Sequence, residues 1–459
     1  MISTLQEQFN TPLEGFSAAS LPPLDIPSAF HDVAEAYPLM PCATASMALS
    51  PQRLGVVFSG GPAPGGHDVL VGIIRYLRPN DQLIGFLGGF GGLLKGYHRV
   101  IDSTDADMLI GTAGFDYLGT DRTKIATDDQ MALLSGVIDQ LSLDALLVVG
   151  GDDSNTNAMH IARALLGRCH VIGIPKTIDG DMRLSPYLNT TFGFHTATQV
   201  YSQSVQALSI DALATKKYVH FVKLMGRQAS HVALEVALQT KPFGCLLREE
   251  VTQKGWGLAQ VIGYFSDVIV QRMGMRKPYG VVLFPEGLVE VIPEFNTQLT
   301  ATASDVDSHG NMNLSQWPLE TRVMELVMKD VYKKTRQSIP AMAHFFGYAG
   351  RSSRPTKFDA IYSRGLGKTA YALALSGYTG VMAACYVKDT TVQPCGIPLA
   401  AMMCEGQNGG RIKKFLVDTS SKDYRNYIKK KTDWVTGDPV FPRPDYWAIP
   451  RSFDQLRGV

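Results

Sequence analysis

The sequence predicts an α/β protein with two domains, each built on a mostly parallel sheet. Three observations support this prediction: the length of 459 residues, the alternation of short apolar runs with helical patterns, and 44 glycines that fall singly or in pairs at the ends of those runs. At roughly 150 residues per domain the chain is too long for one core, so two large domains are expected. Glycine after an apolar run is typical of a turn from a strand into a helix.

The predicted elements form two series along the chain. Strands of the first series are predicted after Arg53, at residues 54–58, 83–87, 145–149 and 171–174. The second series has predicted strands at 218–224 and 279–284, and helices from about Gln228 to Gln239 and from Gly257 to Arg272. Residues 1–50 are expected to be an N-terminal arm without chemistry, and the polar residues 295–314 predict a loop or a surface insertion.

The bulk composition excludes several function classes. Lys plus Arg number 43 against 42 Asp plus Glu, so no global charge favours nucleic acid or anionic lipid as a partner. The six cysteines include no C-x-x-C pair, which fits reduced thiols in a cytosol. No apolar run approaches the ~20 residues of a membrane span, and the first basic residue is Arg53. We therefore expect a soluble, cytoplasmic protein without a membrane or nucleic-acid partner.

Two glycine turns of the first series are candidates for phosphate binding. "FSGGPAPGGHDVL" (58–70) places Gly60 and Gly61 directly after a strand, although this loop alone could be a plain turn. "GGDDSNTNAMHIA" (150–162) offers Ser154 or Asn155 as a helix cap and places Asp152 to hold a metal that bridges phosphates. Mg²⁺ requires only one or two carboxylates beside phosphate oxygens and water.

Two further turns supply charge at the same predicted edge. "GIPKTIDGDM" (173–182) brings Lys176, Asp179 and Asp181 within six residues. A surface ion-pair cluster is the alternative, but a cation for phosphate and a carboxylate base are what phosphoryl transfer to a hydroxyl requires. "GFDYLGTDRTK" (114–124) adds Arg122 and Lys124, which are either phosphate ligands or only surface charges.

The second series predicts a pocket for a sugar phosphate. "KLMGRQASH" (223–231) ends a strand with Gly226 and Arg227, and "LFPEGL" (283–288) ends another with Glu286. Arginine binds phosphate oxygens through a planar fork, and a carboxylate accepts hydrogen bonds from sugar hydroxyls. "GYAGRSSRP" (347–355) adds Tyr348 and Arg351 in a local basic cluster, or else is a solvated loop.

These motifs, in this order, span most of residues 53–390, and they closely resemble the pyrophosphate-dependent 6-phosphofructokinases, the branch of the phosphofructokinase family that uses diphosphate instead of ATP. The resemblance implies two Rossmann-like α/β domains with the active site in the cleft between them. It implies a diphosphate- and Mg²⁺-binding domain of residues 51–192 plus about 352–410. A fructose 6-phosphate-binding domain would comprise residues 193–351 plus about 411–459.

The resemblance also implies a role for each motif. Asp179 would take the proton from the 1-hydroxyl of fructose 6-phosphate, with Thr177 and Asp181 beside it, and Asp152 would hold Mg²⁺. Diphosphate would be bound by Lys176, the backbone of Gly60 and Gly61, Arg122 and Lys124. Fructose 6-phosphate would be bound by Thr177, Ile178, Asp179, Met225, Gly226, Arg227, Glu286, Tyr348 and Arg351, the last two at its 6-phosphate. Lys217 and Tyr218 would reach the site of a neighbouring subunit, implying a homodimer or a larger homo-oligomer.

Asp153 is expected to choose the phosphoryl donor. ATP-using relatives have glycine at this position, close to the site of a nucleotide α-phosphate. Two unit charges ~4 Å apart at an effective dielectric constant near 20 repel by roughly 4 kcal/mol, so ATP should be excluded.

The expected reaction is reversible phosphoryl transfer from diphosphate to fructose 6-phosphate, giving fructose 1,6-bisphosphate and phosphate. An ATP-dependent 6-phosphofructokinase and a non-catalytic regulatory subunit of the same family are the alternatives; a dehydrogenase is disfavoured because no G-x-G-x-x-G turn opens the first series.

Two positions depart from the family pattern. Asp68 stands where asparagine is expected, and His195 stands where aspartate is usual. Both are expected to affect the site only indirectly.

Overall fold

A computed structural model describes residues 50, 52–184, 187–302, 314–388, 391–404 and 411–438. Its strands are β1 (Arg53–Phe58), β2 (Gln82–Phe86), β3 (His98–Ile101), β4 (Ala145–Gly150), β5 (His170–Thr177), β6 (Phe192–Gly193), β7 (Val219–Leu224), β8 (Gly244–Cys245), β9 (Gly280–Pro285), β10 (Ala341–Phe346), β11 (Val381–Lys388), β12 (Thr391–Pro398), β13 (Met403–Cys404) and β14 (Arg411–Ile412).

The α-helices within those ranges are α1 (Gly66–Ile74), α2 (Gly89–Leu94), α3 (Ser103–Leu109), α4 (Asp128–Gln140), α5 (Asp152–Ala164), α6 (Phe194–Thr215), α7 (His231–Thr240), α8 (Arg248–Lys254), α9 (Leu258–Gly274), α10 (Leu288–Val291), α11 (Pro293–Thr302), α12 (Leu319–Thr335), α13 (Tyr348–Ser352), α14 (Lys357–Leu375) and α15 (Lys422–Thr436). None of these helices is long and apolar enough to cross a bilayer.

The larger sheet has the strand order β12-β11-β5-β4-β1-β2-β3, with β6 beside β5. Its neighbours are parallel except β2 with β3 and β11 with β12, which are antiparallel. The central strand β4 is buried along its whole length, which fits its unbroken apolar sequence "ALLVVG" because helices cover both faces of a parallel sheet. The smaller sheet, β10-β7-β9-β8, is entirely parallel. The predicted α/β class with mostly parallel sheets is confirmed.

Helix α14 comes late in the chain but belongs with the larger sheet. It packs on α1 and on strands β5, β11 and β12. Two glycines bring the helices close: a Cβ on Gly72 would meet the backbone of Arg364, and one on Gly367 would meet the backbone of Val69. Helix α15 packs on α9 and β8, near the smaller sheet.

Two predictions about local structure are wrong. Residues 295–302, predicted as part of a loop, belong to α11, because Phe295 and Leu299, four residues apart, give that helix an apolar face that is buried. The predicted cap at Ser154 or Asn155 is also wrong, because α5 begins at Asp152 with Gly151 as its N-cap. The rest of the predicted loop, 303–313, and the N-terminal arm up to residue 49 lie outside the described residues.

Candidate active site

A cavity of about 510 Å³ lies where the carboxyl ends of six parallel strands meet. Strands β1, β4 and β5 come from the larger sheet, and β7, β9 and β10 come from the smaller one. The lining residues are Gly60, Gly61, Pro62, Arg122, Gly151, Asp152, Asp153, Ser154, Lys176, Thr177, Ile178, Asp179, Asp181, Met225, Arg227, Gln228, Glu286, Leu314, Ser315, Tyr348, Arg351 and Lys414. Ligand sites in open α/β sheets form at this edge.

The turn after β1 brings backbone into the cavity. Gly60 has φ +83°, a conformation that favours glycine. Its N–H donates to the carbonyl of Asp121 at 2.8 Å, so this N–H, predicted to contact diphosphate, already has an acceptor within the protein. The carbonyl of Gly61 accepts from Lys176 Nζ at 2.7 Å. The turn is thereby tied to the end of β5.

The start of α5 presents two carboxylates. Asp152 and Asp153 both lie in the first turn of the helix, where negative charge is favourable because the N-terminus carries a partial positive charge. Asp152 Oδ2 forms an ion pair at 3.0 Å with Lys414, a residue that sequence reasoning did not single out. Asn155 donates its side-chain N–H to the carbonyls of Gly150 and Gly151, at 2.7 and 2.9 Å, and so fixes the strand-to-helix turn.

The loop after β5 holds the predicted base. The backbone N–H of Asp179 donates to Thr177 Oγ1 at 3.0 Å, and Thr177 Oγ1 donates to Asp181 Oδ1 at 3.3 Å. Burial raises the pKa of Asp179, against the attraction of Arg351 and Lys414. Burial and the neighbouring Asp179 also raise the pKa of Asp181, to about 7. A carboxylate with a raised pKa is a stronger base, which suits proton abstraction from a hydroxyl.

Lys176 is the cation closest to this loop in sequence. Its side chain is buried, and burial together with the nearby charge of Arg351 lowers its pKa to about 8. Asp179 and Asp152 oppose that shift because their negative charges favour the ammonium form. An anionic ligand beside Lys176 would likewise favour the ammonium form and raise its pKa.

The end of β9 supplies Glu286, which is held by a residue from a distant part of the chain. Ser315 Oγ donates to Glu286 Oε2 at 2.9 Å. Lys223, itself buried on β7, anchors that segment by donating to the carbonyls of Ser315 at 3.2 Å and Trp317 at 2.8 Å. Burial raises the pKa of Glu286 to about 7, although the bond from Ser315 opposes this rise.

The two predicted arginines of the sugar side have different surroundings. Arg227 pairs with Glu290, with Nη2 2.8 Å and Nε 2.9 Å from Glu290 Oε1. Arg351 lies against the turn after β1, where a Cβ on Gly61 would overlap its guanidinium. The buried Nε of Arg351 has no hydrogen-bond partner among the described residues. A buried donor without an acceptor favours an anionic ligand at this point.

The family model described as phosphofructokinase matches residues 53–374. The chain belongs to the phosphofructokinase family. It is 37% identical over 449 residues to the pyrophosphate–fructose 6-phosphate 1-phosphotransferase of Treponema pallidum, an alignment that covers 83% of this chain and 78% of that relative. It is 36% identical over 454 residues to the protein of the same name from Entamoeba histolytica, with 85% and 83% covered.

A solved structure agrees in fold. The pyrophosphate-dependent phosphofructokinase from Nitrosospira multiformis aligns with a TM-score of 0.62 and 16% identity, over 88% of this chain and 96% of that one. The phosphofructokinase fold of two α/β domains that the resemblance implied is therefore confirmed.

Four predicted site residues do not line the cavity of this phosphofructokinase chain: Lys124, Lys217, Tyr218 and Gly226. Gly226 has φ +129° and shapes the turn that carries Met225 and Arg227. Lys217 and Tyr218 precede β7, whereas the cavity lies beyond its other end, roughly 20 Å away at ~3.3 Å per residue. Their predicted contribution to a neighbouring subunit stays a prediction.

Sequence reasoning missed four charged or polar side chains that line the cavity: Ser154, Gln228, Ser315 and Lys414. The sequence predicts Ser154 only as a helix cap, and Gln228 directly follows the Met225–Arg227 motif. Ser315 follows a polar segment that predicted a loop, and Lys414 lies in "GGRIKKF", whose basic residues gave the only available signal.

The two positions that depart from the family pattern both contact α14 or the residue before it. Asp68 is buried and pairs with Arg364 at 2.6 Å. His195 is buried as well, and its Nδ1 lies 2.7 Å from Thr356 Oγ1, the cap of α14. Neither residue lines the cavity.

Proposed function

We propose that this chain transfers a phosphoryl group reversibly from diphosphate to the 1-hydroxyl of fructose 6-phosphate, giving fructose 1,6-bisphosphate and phosphate. The observation that carries the proposal is the meeting of Asp153, Lys176 and Asp179 in one cavity, in a chain whose relatives are named for this reaction. Asp153 and Lys176 fit diphosphate as the donor, and Asp179 fits the role of base.

In this proposal Asp179 accepts the proton of the 1-hydroxyl while Lys176 stabilises the transferring phosphoryl group. The bond from Asp179 N–H to Thr177 fixes the loop, and the burial of the carboxylate strengthens it as a base. Because phosphoryl transfer is governed by positioning and electrostatic stabilisation, a fixed carboxylate beside a buried cation is the arrangement it needs.

Mg²⁺ belongs to the proposal through Asp152. The described residues contain no cluster of three or more His, Cys, Asp or Glu side chains with metal-ligand geometry. One hard carboxylate oxygen at the cavity wall nevertheless fits Mg²⁺, because this ion would need only one or two carboxylates beside diphosphate oxygens and water. When bound, Mg²⁺ would neutralise charge on the diphosphate oxygens.

The sugar side is proposed to hold fructose 6-phosphate. Glu286 can accept hydrogen bonds from its hydroxyls, while Tyr348 and Arg351 bind its 6-phosphate and Arg227 contributes a second fork. Lys217 and Tyr218 would complete the site of a partner in a homodimer or larger homo-oligomer. A cytoplasmic location is part of the same proposal.

Two alternatives within the family are disfavoured. An ATP-dependent enzyme would have glycine at the positions of Asp153 and Lys176, and both side chains line the cavity here. A regulatory subunit has no need of a base, whereas Asp179 lies in the cavity with its backbone fixed.

The test is product formation by the purified chain with Mg²⁺, fructose 6-phosphate and a single donor. Fructose 1,6-bisphosphate should form with diphosphate and not measurably with ATP, and the matched variant Asp179→Asn should be nearly inactive with either donor. Turnover with ATP alone would contradict the proposal, and so would the absence of turnover with both donors.

A further inference from the structure

A segment near the end of the described chain is fixed against both sides of the cavity. We name residues 411–418 the C-terminal strap. The N–H of Ile412 donates to Thr156 Oγ1 on α5 at 3.0 Å, and the N–H of Phe415 donates to the carbonyl of Asp181 at 2.8 Å. The carbonyl of Phe415 accepts from His231 Nε2, at the start of α7, at 2.9 Å. The strap therefore joins the loops of the larger sheet to a helix beside the smaller one.

The strap places one lysine in the cavity and turns its neighbour away. Lys414 lines the cavity, with Nζ 3.0 Å from Asp152 Oδ2, and its side chain is 24% exposed. Lys413 is exposed, with its Nζ 5.5 Å from the ring centre of Phe415, and it does not line the cavity. Because the strap is hydrogen-bonded on both sides of Lys414, the backbone of this residue is fixed, and the ion pair with Asp152 holds its ammonium group at the start of α5.

The balance of charges in the cavity gives this lysine a part in attracting an anion. The acidic residues in the lining are Asp152, Asp153, Asp179, Asp181 and Glu286, and the basic ones are Arg122, Lys176, Arg227, Arg351 and Lys414. Removal of Lys414 would leave five acidic side chains against four basic ones. Diphosphate carries several negative charges, so the loss of the Lys414 charge would weaken its attraction to the cavity.

We propose that Lys414 is a diphosphate-binding residue: its ammonium group lies within reach of a diphosphate at the start of α5 and binds one of its oxygens. The inference rests on the proposed function. A lysine side chain suits this task because its ammonium group is a point charge on a flexible stem, able to contact both Asp152 and a phosphate oxygen.

A purely structural role for Lys414 predicts something different. If the lysine only neutralised Asp152 and ordered the start of α5, its loss would lower stability and weaken the use of both substrates alike. A diphosphate ligand predicts a selective loss for one substrate.

The experiment compares Lys414→Met, which keeps the stem and removes the charge, with Lys414→Arg, which keeps the charge, and with the matched control Lys413→Met. Diphosphate binding is measured without fructose 6-phosphate and without turnover, from the rise in melting temperature during a diphosphate titration with and without Mg²⁺. Steady-state KM values for both substrates are measured in parallel. The melting temperature of each free variant reports whether it folds.

Lys414→Met should raise the dissociation constant and KM for diphosphate about tenfold to a hundredfold, the range for a lost charged hydrogen bond, with the KM for fructose 6-phosphate changed less than about twofold. Lys414→Arg should recover most of the affinity, and Lys413→Met should match the wild type. Diphosphate binding by Lys414→Met within about twofold of the wild type, or an equal loss for both substrates, would overturn the inference. If the wild-type chain itself failed to bind diphosphate, the proposed function would fail. If the wild type bound diphosphate and Lys414→Met bound it equally well, only the inference about Lys414 would fail.

Discussion

Replacing Asp153 should change which phosphoryl donor the chain accepts. The carboxylate lines the cavity in the first turn of α5, beside Asp152. A nucleotide α-phosphate ~4 Å from it would be repelled by roughly 4 kcal/mol at an effective dielectric constant near 20, about a thousandfold in binding. Loss of the Asp153 carboxylate costs α5 roughly 0.3 to 1 kcal/mol of charge–dipole energy, and a glycine at this position costs the helix roughly 1 kcal/mol more. The effect on donor choice should therefore exceed the effect on stability.

Two variants separate charge from volume. Asp153→Asn removes the charge and keeps the bulk, whereas Asp153→Gly removes both, so the ratio of ATP to diphosphate efficiency should rise in the first and rise further in the second. Lys176→Gly, combined with Asp153→Gly, should shift the ratio more than either change alone, because a cation that offsets the charge of diphosphate is lost. The rate with ATP should stay low in absolute terms, because the use of ATP needs a surface that binds adenine as well as the removal of the repelling charge.

The assay is catalytic efficiency with each donor at saturating fructose 6-phosphate, fixed Mg²⁺ and one ionic strength, because salt screens the charge effect. Melting temperatures of the variants give the stability loss separately. If both donors lost efficiency in parallel and their ratio stayed at the wild-type value, Asp153 would be a residue that orders the helix and not one that selects the donor.

Three further outcomes are expected from the other side chains of the cavity. Asp179→Ala should lower kcat at least roughly a hundredfold with little change in fructose 6-phosphate binding, and near-normal turnover would exclude it as the base. Arg351→Ala should raise the KM for fructose 6-phosphate about tenfold to a hundredfold. A larger rise in the KM for diphosphate would indicate instead that the Arg351 guanidinium binds diphosphate beside the Gly61 turn, against which it lies. The KM for fructose 6-phosphate should rise as pH falls through about 7, because Glu286 becomes protonated and loses acceptor capacity. Ser315→Ala should move that transition to higher pH because the bond from Ser315 lowers the pKa of Glu286, and identical pH profiles for this variant and the wild type would contradict the assignment.

The elements that the sequence predicted well are those whose signal is local. Strand β4 was predicted at 145–149 and runs from Ala145 to Gly150, since an apolar run before a glycine pair has few other interpretations. The start of α5 was predicted too late because Ser154 and Asn155 are common caps, yet two aspartates can begin a helix by their charge.

The parts of the cavity that could not be predicted come from long-range contacts. Lys414 is 262 residues from Asp152 in the chain, and the bond from Ser315 to Glu286 spans 29 residues. Hydrophobic periodicity and turn chemistry carry no information about which distant segments meet. The pairing of Arg227 with Glu290 is of the same kind: the motif identifies Arg227, but its partner follows only from the approach of the turn after β7 to α10.

The position of β11 has a consequence for how the protein is made. This strand pairs with β5 through Val381 and Met382, so one side of β5 must wait for its neighbour until residues 178–380 have been synthesised. During that interval the apolar strand "HVIGIPKT" has an open edge at Ile172 and Gly173, whereas Lys176 and Thr177 can already pair with β6, and the open part is able to pair wrongly with another nascent chain. Strands β7, β8, β9 and β10 of the smaller sheet are therefore all synthesised before β11, the strand that pairs with β5 in the larger sheet. Truncation before β11 would therefore keep the loops after β1, β4 and β5 in the sequence, but it would remove the C-terminal strap with Lys414 and leave those loops attached to a sheet that cannot close.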